Sequence, residues 1–156
     1  MNENTETNQT LCEKYPEIFE PLINANRTLD RIEENYKKSK LDSLVQRPWG
    51  SYETIHGDDH SGYKVKKIIV LPSQRLSLQS HTQRSEHWVI VSGLGKVQLG
   101  DEFLLVDKNT HICIDKHQKH RIENRGEELL VFIETQVGSY LGEDDIIRYQ
   151  DDYNRV

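Results

Sequence analysis

Between Tyr63 and Gln136 the chain runs through eight short stretches that each read as a β-strand, and the residues between them are turn formers. The stretches are Tyr63 to Leu71, Leu76 to His81, His87 to Ser92, Lys96 to Leu99, Glu102 to Val106, His111 to Ile114, His120 to Glu123 and Leu129 to Gln136. Gly93-Leu-Gly95, Gly100-Asp101 and Asn124-Arg-Gly126 mark the turns. Strands this short and this evenly spaced can bury their apolar sides only by facing one another, so an all-β barrel or sandwich is expected from Tyr52 onward. No internal repeat or low-complexity tract interrupts the pattern.

The character of the chain changes once, near residue 46. Residues 1 to 10 are polar and read as disordered, and residues 11 to about 45 read as helical. Leu29, Ile32 and Tyr36 recur at spacings of three and four after Thr28, which reads as the helix N-cap, and the apolar face they form should cover a sheet or a partner subunit. The expected organisation is a polar tail and helical arm over residues 1–45 and one β domain over 46–156.

With 156 residues, 35% hydrophobic and 29% charged, the chain suits one soluble domain that can bury a core. A net charge of −6 argues against a nucleic-acid or anionic-membrane surface, either of which needs a concentrated basic face. No secretory signal or apolar run of membrane-spanning length is read, so a cytoplasmic protein is expected. Cys12 and Cys113 sit in no Cys-x-x-Cys pair and read as reduced thiols, Cys113 as a small buried hydrophobe in His111-Ile-Cys-Ile114.

The chemistry is concentrated in Leu76-Ser-Leu-Gln79-Ser-His81-Thr-Gln-Arg84-Ser-Glu86-His-Trp88, joined 34 residues after Glu86 by His120. Residues two apart on a strand share a face, so Gln79 and His81 point together, and Glu86 can come round from the adjoining strand. Two imidazoles, a carboxylate and an amide are thereby available to one metal ion. The strand ending at Gln136 puts Leu130, Phe132, Glu134 and Gln136 on one face, and another puts Lys66 with Ile68 and Val70, with Lys64 further toward the strand end. A lysine and a glutamate aimed among large apolar residues are costly without partners or a bound ligand.

The spacing Gln79-x-His81-x4-Glu86-x6-Gly93, followed by His120-x3-Asn124, resembles the two cupin motifs, with Gln79 in place of the usual first histidine. More closely, the chain is similar to the type II phosphomannose isomerase domain, which often forms the C-terminal part of bifunctional enzymes fused to a mannose-1-phosphate guanylyltransferase. The matching segments are Arg47-Pro-Trp49-Gly-Ser-Tyr52, Leu76 to Gln79, Arg84 to Trp88, His120 to Asn124, and Ile133-Glu134-Thr-Gln136-Val-Gly-Ser-Tyr140 through Asp145-Ile-Ile-Arg148-Tyr. The resemblance covers roughly residues 47 to 155. It implies a cupin fold, a double-stranded β-helix or jelly-roll barrel, to which the helical arm read from residues 11 to about 45 is attached. Departures fall at Pro72-Ser73, Thr82-Gln83 and Asp115-Lys-His117; they leave the four ligands intact, and His117 could itself approach the site. No Gly-rich nucleotide-binding segment precedes Arg47, so nucleotidyl transfer is not carried over.

The activity so implied is interconversion of mannose 6-phosphate and fructose 6-phosphate through a cis-enediol, feeding GDP-mannose formation. Gln79, His81, Glu86 and His120 give two nitrogens and two oxygens, which suits zinc best, with manganese, cobalt or ferrous iron as alternatives. By resemblance Arg84 is catalytic and Arg148 binds substrate, with Gln136 beside it; Glu134 is the expected general base, and Lys66 a further catalytic cation. Plainer readings stand beside these. Trp49 and Trp88 could be core or lid packing, Arg148 could pair with Asp144 or Asp145 on a helix surface, Lys66 could snorkel at a strand end, and Glu134 could brace a ligand histidine. Two other functions are weighed as well, a metal-dependent cupin oxygenase and a non-catalytic sugar-binding cupin. The expected partners are a sugar phosphate and a second copy of the chain, with no nucleic acid and no membrane.

Overall fold

The computed structural model describes residues 16–155. Two compact units emerge, whose described residues are 16–42 and 43–155. In the first, α1 spans Pro16–Asp42. Pro16 suits a first helical position, where its missing N–H has no partner to lose. Thr28 is therefore not an N-cap: it lies well inside α1, and its hydroxyl donates to the Asn24 carbonyl 2.9 Å away. The same period-3.6 spacing that marks a helix is present, but the true start lies a dozen residues earlier. Leu29 and Ile32 are exposed. The expectations for the tail and Cys12 lie outside the described residues.

The second unit holds eleven strands, all in antiparallel pairs. They are β1 Leu44–Arg47, β2 Gly50–His56, β3 Tyr63–Val70, β4 Leu78–His81, β5 Arg84–Ser92, β6 Gly95–Leu99, β7 Glu102–Val106, β8 His111–Ile114, β9 His120–Asn124, β10 Leu130–Gly138 and β11 Ile146–Gln150. One sheet has the order β1-β2-β3-β10-β5-β8 and the other β11-β4-β9-β6-β7. Neighbours in space are thus often distant in sequence, as a jelly-roll connection requires. A single cluster takes Ile68, Val70, Trp88, Ile90, Leu130 and Phe132 from the larger sheet and Val97 and Ile122 from the smaller. That the two sheets share one core is the reason the inner faces carry the apolar half of each alternation.

The alternation is strict where the site lies. Lys64, Lys66, Ile68 and Val70 are the buried half of β3, and Leu130, Phe132, Glu134 and Gln136 that of β10, as expected from the sequence. On β8 the two isoleucines point inward and Cys113 outward, so Cys113 is exposed rather than the buried hydrophobe expected. Several elements differ from the sequence reading, among them β2, which lies in none of the eight stretches, and β4, which starts at Leu78 rather than Leu76. β5 begins at Arg84 rather than His87, β1 starts at Leu44 inside the stretch read as helical, and Arg148 lies on a strand, β11, rather than a helix. Gly93 turns the chain between β5 and β6 at φ +88°; a Cβ there would stand 2.7 Å from both the Leu129 carbonyl oxygen and the Leu130 Cα, so the turn requires glycine.

Candidate metal centre

β4 ends in the smaller sheet and β5 begins in the larger, so Thr82 and Gln83 carry the chain around a corner between sheets. Asp145 fixes that corner. Its carboxylate accepts from the Thr82 hydroxyl (2.5 Å), the Thr82 amide (3.2 Å) and the Gln83 amide (3.1 Å). Burial alone raises the Asp145 pKa, but these hydrogen bonds outweigh it and hold the carboxyl below the usual aspartate range. On the other side of the corner Gly138 lies against Arg84: a Cβ there would be 2.2 Å from the Gln83 carbonyl oxygen and 2.8 Å from the Arg84 Cα.

His81, the last residue of β4, and Glu86, inward on β5, meet across this corner at 3.0 Å between Nε2 and Oε1. His120 opens β9, whose pairing with β4 sets it opposite Gln79, and its Nε2 lies 3.6 Å from Glu86 Oε2. The three potential ligand atoms all fall within 4.8 Å of one another, and each residue is only 1% exposed. His120 Nδ1 lies 2.8 Å from the Gln118 carbonyl oxygen, which can only accept, so Nδ1 carries the proton and Nε2 presents a bare lone pair. That buried Nε2 has no hydrogen-bond partner among the described residues. Burial, the largest influence, lowers the His120 pKa and favours the neutral ring. A neutral imidazole aimed at a carboxylate, with its lone pair unspent, is what a divalent cation needs.

Glu86 is held as an anion. Burial pulls its pKa upward, but the hydrogen bond from His81 and the charges of His81, His120 and Arg84 pull it well below the carboxylate range. Two neighbours on its own strand also hold it: Arg84 Nε donates to Oε1 at 3.0 Å and Trp88 Nε1 donates to Oε2 at 3.2 Å. Trp88 is core, packed 5.0 Å from Phe132 ring to ring, and orients the carboxylate as well. The Arg84 guanidinium further donates to the Gly142 carbonyl at 2.9 Å. Gln79 is half-buried in the wall of the adjoining cleft, with its amide oxygen accepting from Ser77 at 2.8 Å. His81, Glu86 and His120 therefore form a set that could hold a metal, with Gln79 beside it. His117 does not join them: it is exposed in the turn before β9, where its amide donates to the His81 carbonyl.

The cleft next to this cluster is small, about 50 Å³. Register brings its remaining groups together, because β10 pairs with both β3 and β5: Glu134 stands opposite Lys66 on one side and Trp88 on the other, and Gln136 opposite Glu86. Gln136 Nε2 donates to Glu134 at 2.7 Å and lies 3.5 Å from Glu86. Burial first, then the Glu86 charge, push the Glu134 carboxyl up to about 8. Lys66 reaches Glu143 at 2.5 Å and sits 4.6 Å above the Tyr52 ring. Burial lowers its pKa, but the charges of Glu134 and Glu143 outweigh this and leave it raised. Arg47, Arg148 and Arg155 also line the cleft. Arg148 has no ion pair with Asp144 or Asp145; Asp145 is occupied at the corner. Arg47, Tyr52, Glu143 and Asp145 were not read from the sequence as site residues, although all four fall within segments that carry the family resemblance.

The comparisons with known proteins agree on the family and the fold. The family model described as mannose-6-phosphate isomerase C-terminal matches residues 34–151. The chain is 49% identical over 112 residues to a xanthan biosynthesis protein, XanB, of Xanthomonas campestris pv. campestris (strain B100), covering 72% of this chain and 24% of that protein. It is 45% identical over 112 residues to the mannose-1-phosphate guanylyltransferase of Escherichia coli (strain K12), covering 72% of this chain and 23% of that one. The chain thus spans about a quarter of the length of these curated relatives. Among solved structures, a cupin-2 domain from Rhodospirillum rubrum superposes with a TM-score of 0.54 at 15% identity, covering 65% of this chain and 75% of that chain, a likeness of fold. No described helix is long and apolar enough to cross a membrane. The shared core, the corner between β4 and β5 and the match over most of the β unit lead to one conclusion: the chain belongs to the mannose-6-phosphate isomerase C-terminal family of cupin domains.

Proposed function

We infer that the chain is a mannose-6-phosphate isomerase, interconverting mannose 6-phosphate and fructose 6-phosphate. The observation that carries this reading is the link between two buried carboxylates of opposite character. Glu86 is held ionised among the histidines, Glu134 is pushed up to about 8, and Gln136 bridges them. Environments that drive two carboxylates apart assign them different tasks, here ligand and proton carrier. A divalent cation held by His81, Glu86 and His120, with Gln79 alongside, would polarise the oxygens on C1 and C2 of the open-chain sugar. The donor set of two nitrogens and carboxylate or amide oxygens suits zinc, with manganese, cobalt or ferrous iron as alternatives.

The chain's own residues supply the rest. Glu134 takes the proton from C2 of the aldose; the C–H electrons become the C1–C2 double bond, and the C1 carbonyl oxygen takes the negative charge. Lys66 and Arg84 stabilise that enediolate as cations inside a region of low dielectric. A proton passes from O2 to O1, Glu134 returns its proton to C1, and the ketose results with atoms and electrons balanced. A carboxyl group with a pKa near 8 visits both states at neutral pH, as a carrier that must accept and return one proton should. Gln136 keeps Glu134 aimed.

The test is turnover in heavy water. Mannose 6-phosphate incubated with the chain and added zinc, manganese or cobalt should give fructose 6-phosphate carrying deuterium at C1. Glu134→Gln keeps shape and hydrogen bonding but removes basicity, so it should retain metal and lose about 100-fold or more in kcat. Absence of fructose 6-phosphate with every metal would sink the isomerase reading; full activity of the variant would move the proton to another group.

A further inference from the structure

Five cations line the cleft, and their partners divide them into two groups. Lys66 is matched by Glu143 at 2.5 Å and Arg84 by Glu86 at 3.0 Å. Arg155 is matched by Asp151, which accepts from its Nε at 3.0 Å, from a terminal nitrogen and from its backbone amide. Arg47 and Arg148 alone have no carboxylate within 4.0 Å among the described residues. Arg47 donates only to the neutral Gln46 carbonyl and, at 3.4 Å, to the Tyr52 hydroxyl. The Nε of Arg148 is fully buried and has no hydrogen-bond partner among the described residues. An unpaired buried guanidinium N–H is costly, and it persists where a ligand supplies the missing acceptor.

We propose that Arg47 and Arg148 form the clamp for the substrate's phosphate, which makes the arginine of the Arg47-Pro-Trp49 segment a determinant of specificity for phosphorylated sugars. The proposal rests on the isomerase reading for the identity of the sugar but not for the anion. A phosphate offers several acceptor oxygens and about two negative charges, matching two forked donors that no carboxylate of the cleft satisfies. Strand pairing places the clamp relative to the reacting end. Arg148 is on the inward half of β11 directly opposite Gln79 on β4, whereas its neighbours Ile147 and Tyr149 are exposed. Directly opposed residues on adjacent strands send their side chains out of the same face, so a phosphate held by Arg148 lies one strand away from the Gln79 and His120 pair. One hexose 6-phosphate can then reach both ends. Lys66 and Arg84, already neutralised, stay with the carbons that react.

The experiment compares wild type with Arg47→Gln and Arg148→Gln, using the metal-loaded full chain. Binding of inorganic phosphate, mannose 6-phosphate and mannose is measured by calorimetry, and steady-state isomerisation is measured in parallel. Each variant should raise KM for mannose 6-phosphate and the dissociation constant for inorganic phosphate by about 10- to 100-fold, the loss of one charged hydrogen-bonding partner, with kcat changed far less. Mannose binding should stay as in wild type, and Arg47→Lys or Arg148→Lys should restore part of the loss. If Arg148→Gln does not fold, Arg47→Gln decides alone, because its side chain is held only by the adjacent Gln46 carbonyl and the Tyr52 side chain. Unchanged KM and phosphate binding in an active enzyme would overturn the clamp and leave the isomerase reading standing. A wild type that binds sugar phosphates but never isomerises, with binding lost in the variants, would support the clamp and overturn the isomerase. A wild type with no preference for phosphate over mannose would overturn the clamp outright.

Discussion

Replacing Asp145 by Asn tests whether the corner between β4 and β5 is held from β11's approach, as the structure shows. Asp145 is 7% exposed and receives three hydrogen bonds, two of them from backbone amides. Asn offers one oxygen, and its NH₂ would face an N–H donor. One charged hydrogen bond becomes neutral and at least one buried donor is left unmatched, which together cost about 2–4 kcal/mol. For a unit of this size that lowers Tm by about 6–16 °C. The measurement is urea unfolding and thermal melting of both proteins across pH. Because the folded pKa is lowered, the stabilisation from the charge is present above the unfolded aspartate value near 3.9 and disappears as pH falls through the folded value. The gap between wild type and Asp145→Asn should therefore be widest at neutral pH and close in strong acid. Stability within about 0.5 kcal/mol of wild type at pH 7 would refute the reasoning, because that is the range of an ordinary surface substitution.

Two further outcomes follow from the metal cluster and the cleft. Chain purified under mild conditions should hold about one divalent ion by elemental analysis, and His120→Ala should lose it while keeping its far-ultraviolet spectrum, since one of three converging donors is removed. Lys66→Met keeps stem length and apolar packing, so melting should change little while turnover falls by about 100-fold; unaltered kinetics would assign Lys66 a structural role.

Much of the β unit was legible because sheet geometry has a period of two. Lys66 beside Ile68, and Glu134 beside Phe132, announced inward charges from the sequence alone, and the structure buries all four. The same rule applied to His111-Ile-Cys-Ile114 would have turned Cys113 outward. β11 was hidden for a physical reason: its apolar residues Ile147 and Tyr149 are exposed and its inward residue is an arginine, an inversion of the usual pattern. The acidic run Glu143-Asp-Asp145 before it imitates a helix start, and a three-residue 3₁₀ turn does form there. Arg47 and Tyr52 lay in a segment quoted for its resemblance, but only tertiary pairing of β2 with β3 places Tyr52 opposite Ile68 and its ring under Lys66. Which cations are already matched by carboxylates is likewise a property of the folded chain.

The contacts that close the cleft join residues far apart in sequence: Arg84 to Gly142 across 58 positions, Thr82 to Asp145 across 63, Lys66 to Glu143 across 77. This fixes the order of events during synthesis. At a ribosomal pace of 5–20 residues per second, about 4–15 s separate the appearance of Lys66 from that of Glu143. Through that interval β3 can pair with β2, and β5 with β8 once it emerges, but Lys66 and Arg84 wait for their partners Glu143 and Gly142. Loop closure over such spans is slow and entropically unfavourable, so the nascent β unit stays open to proteases and to wrong strand partners until its last strand arrives. The lining of the cleft is completed in one late step rather than strand by strand.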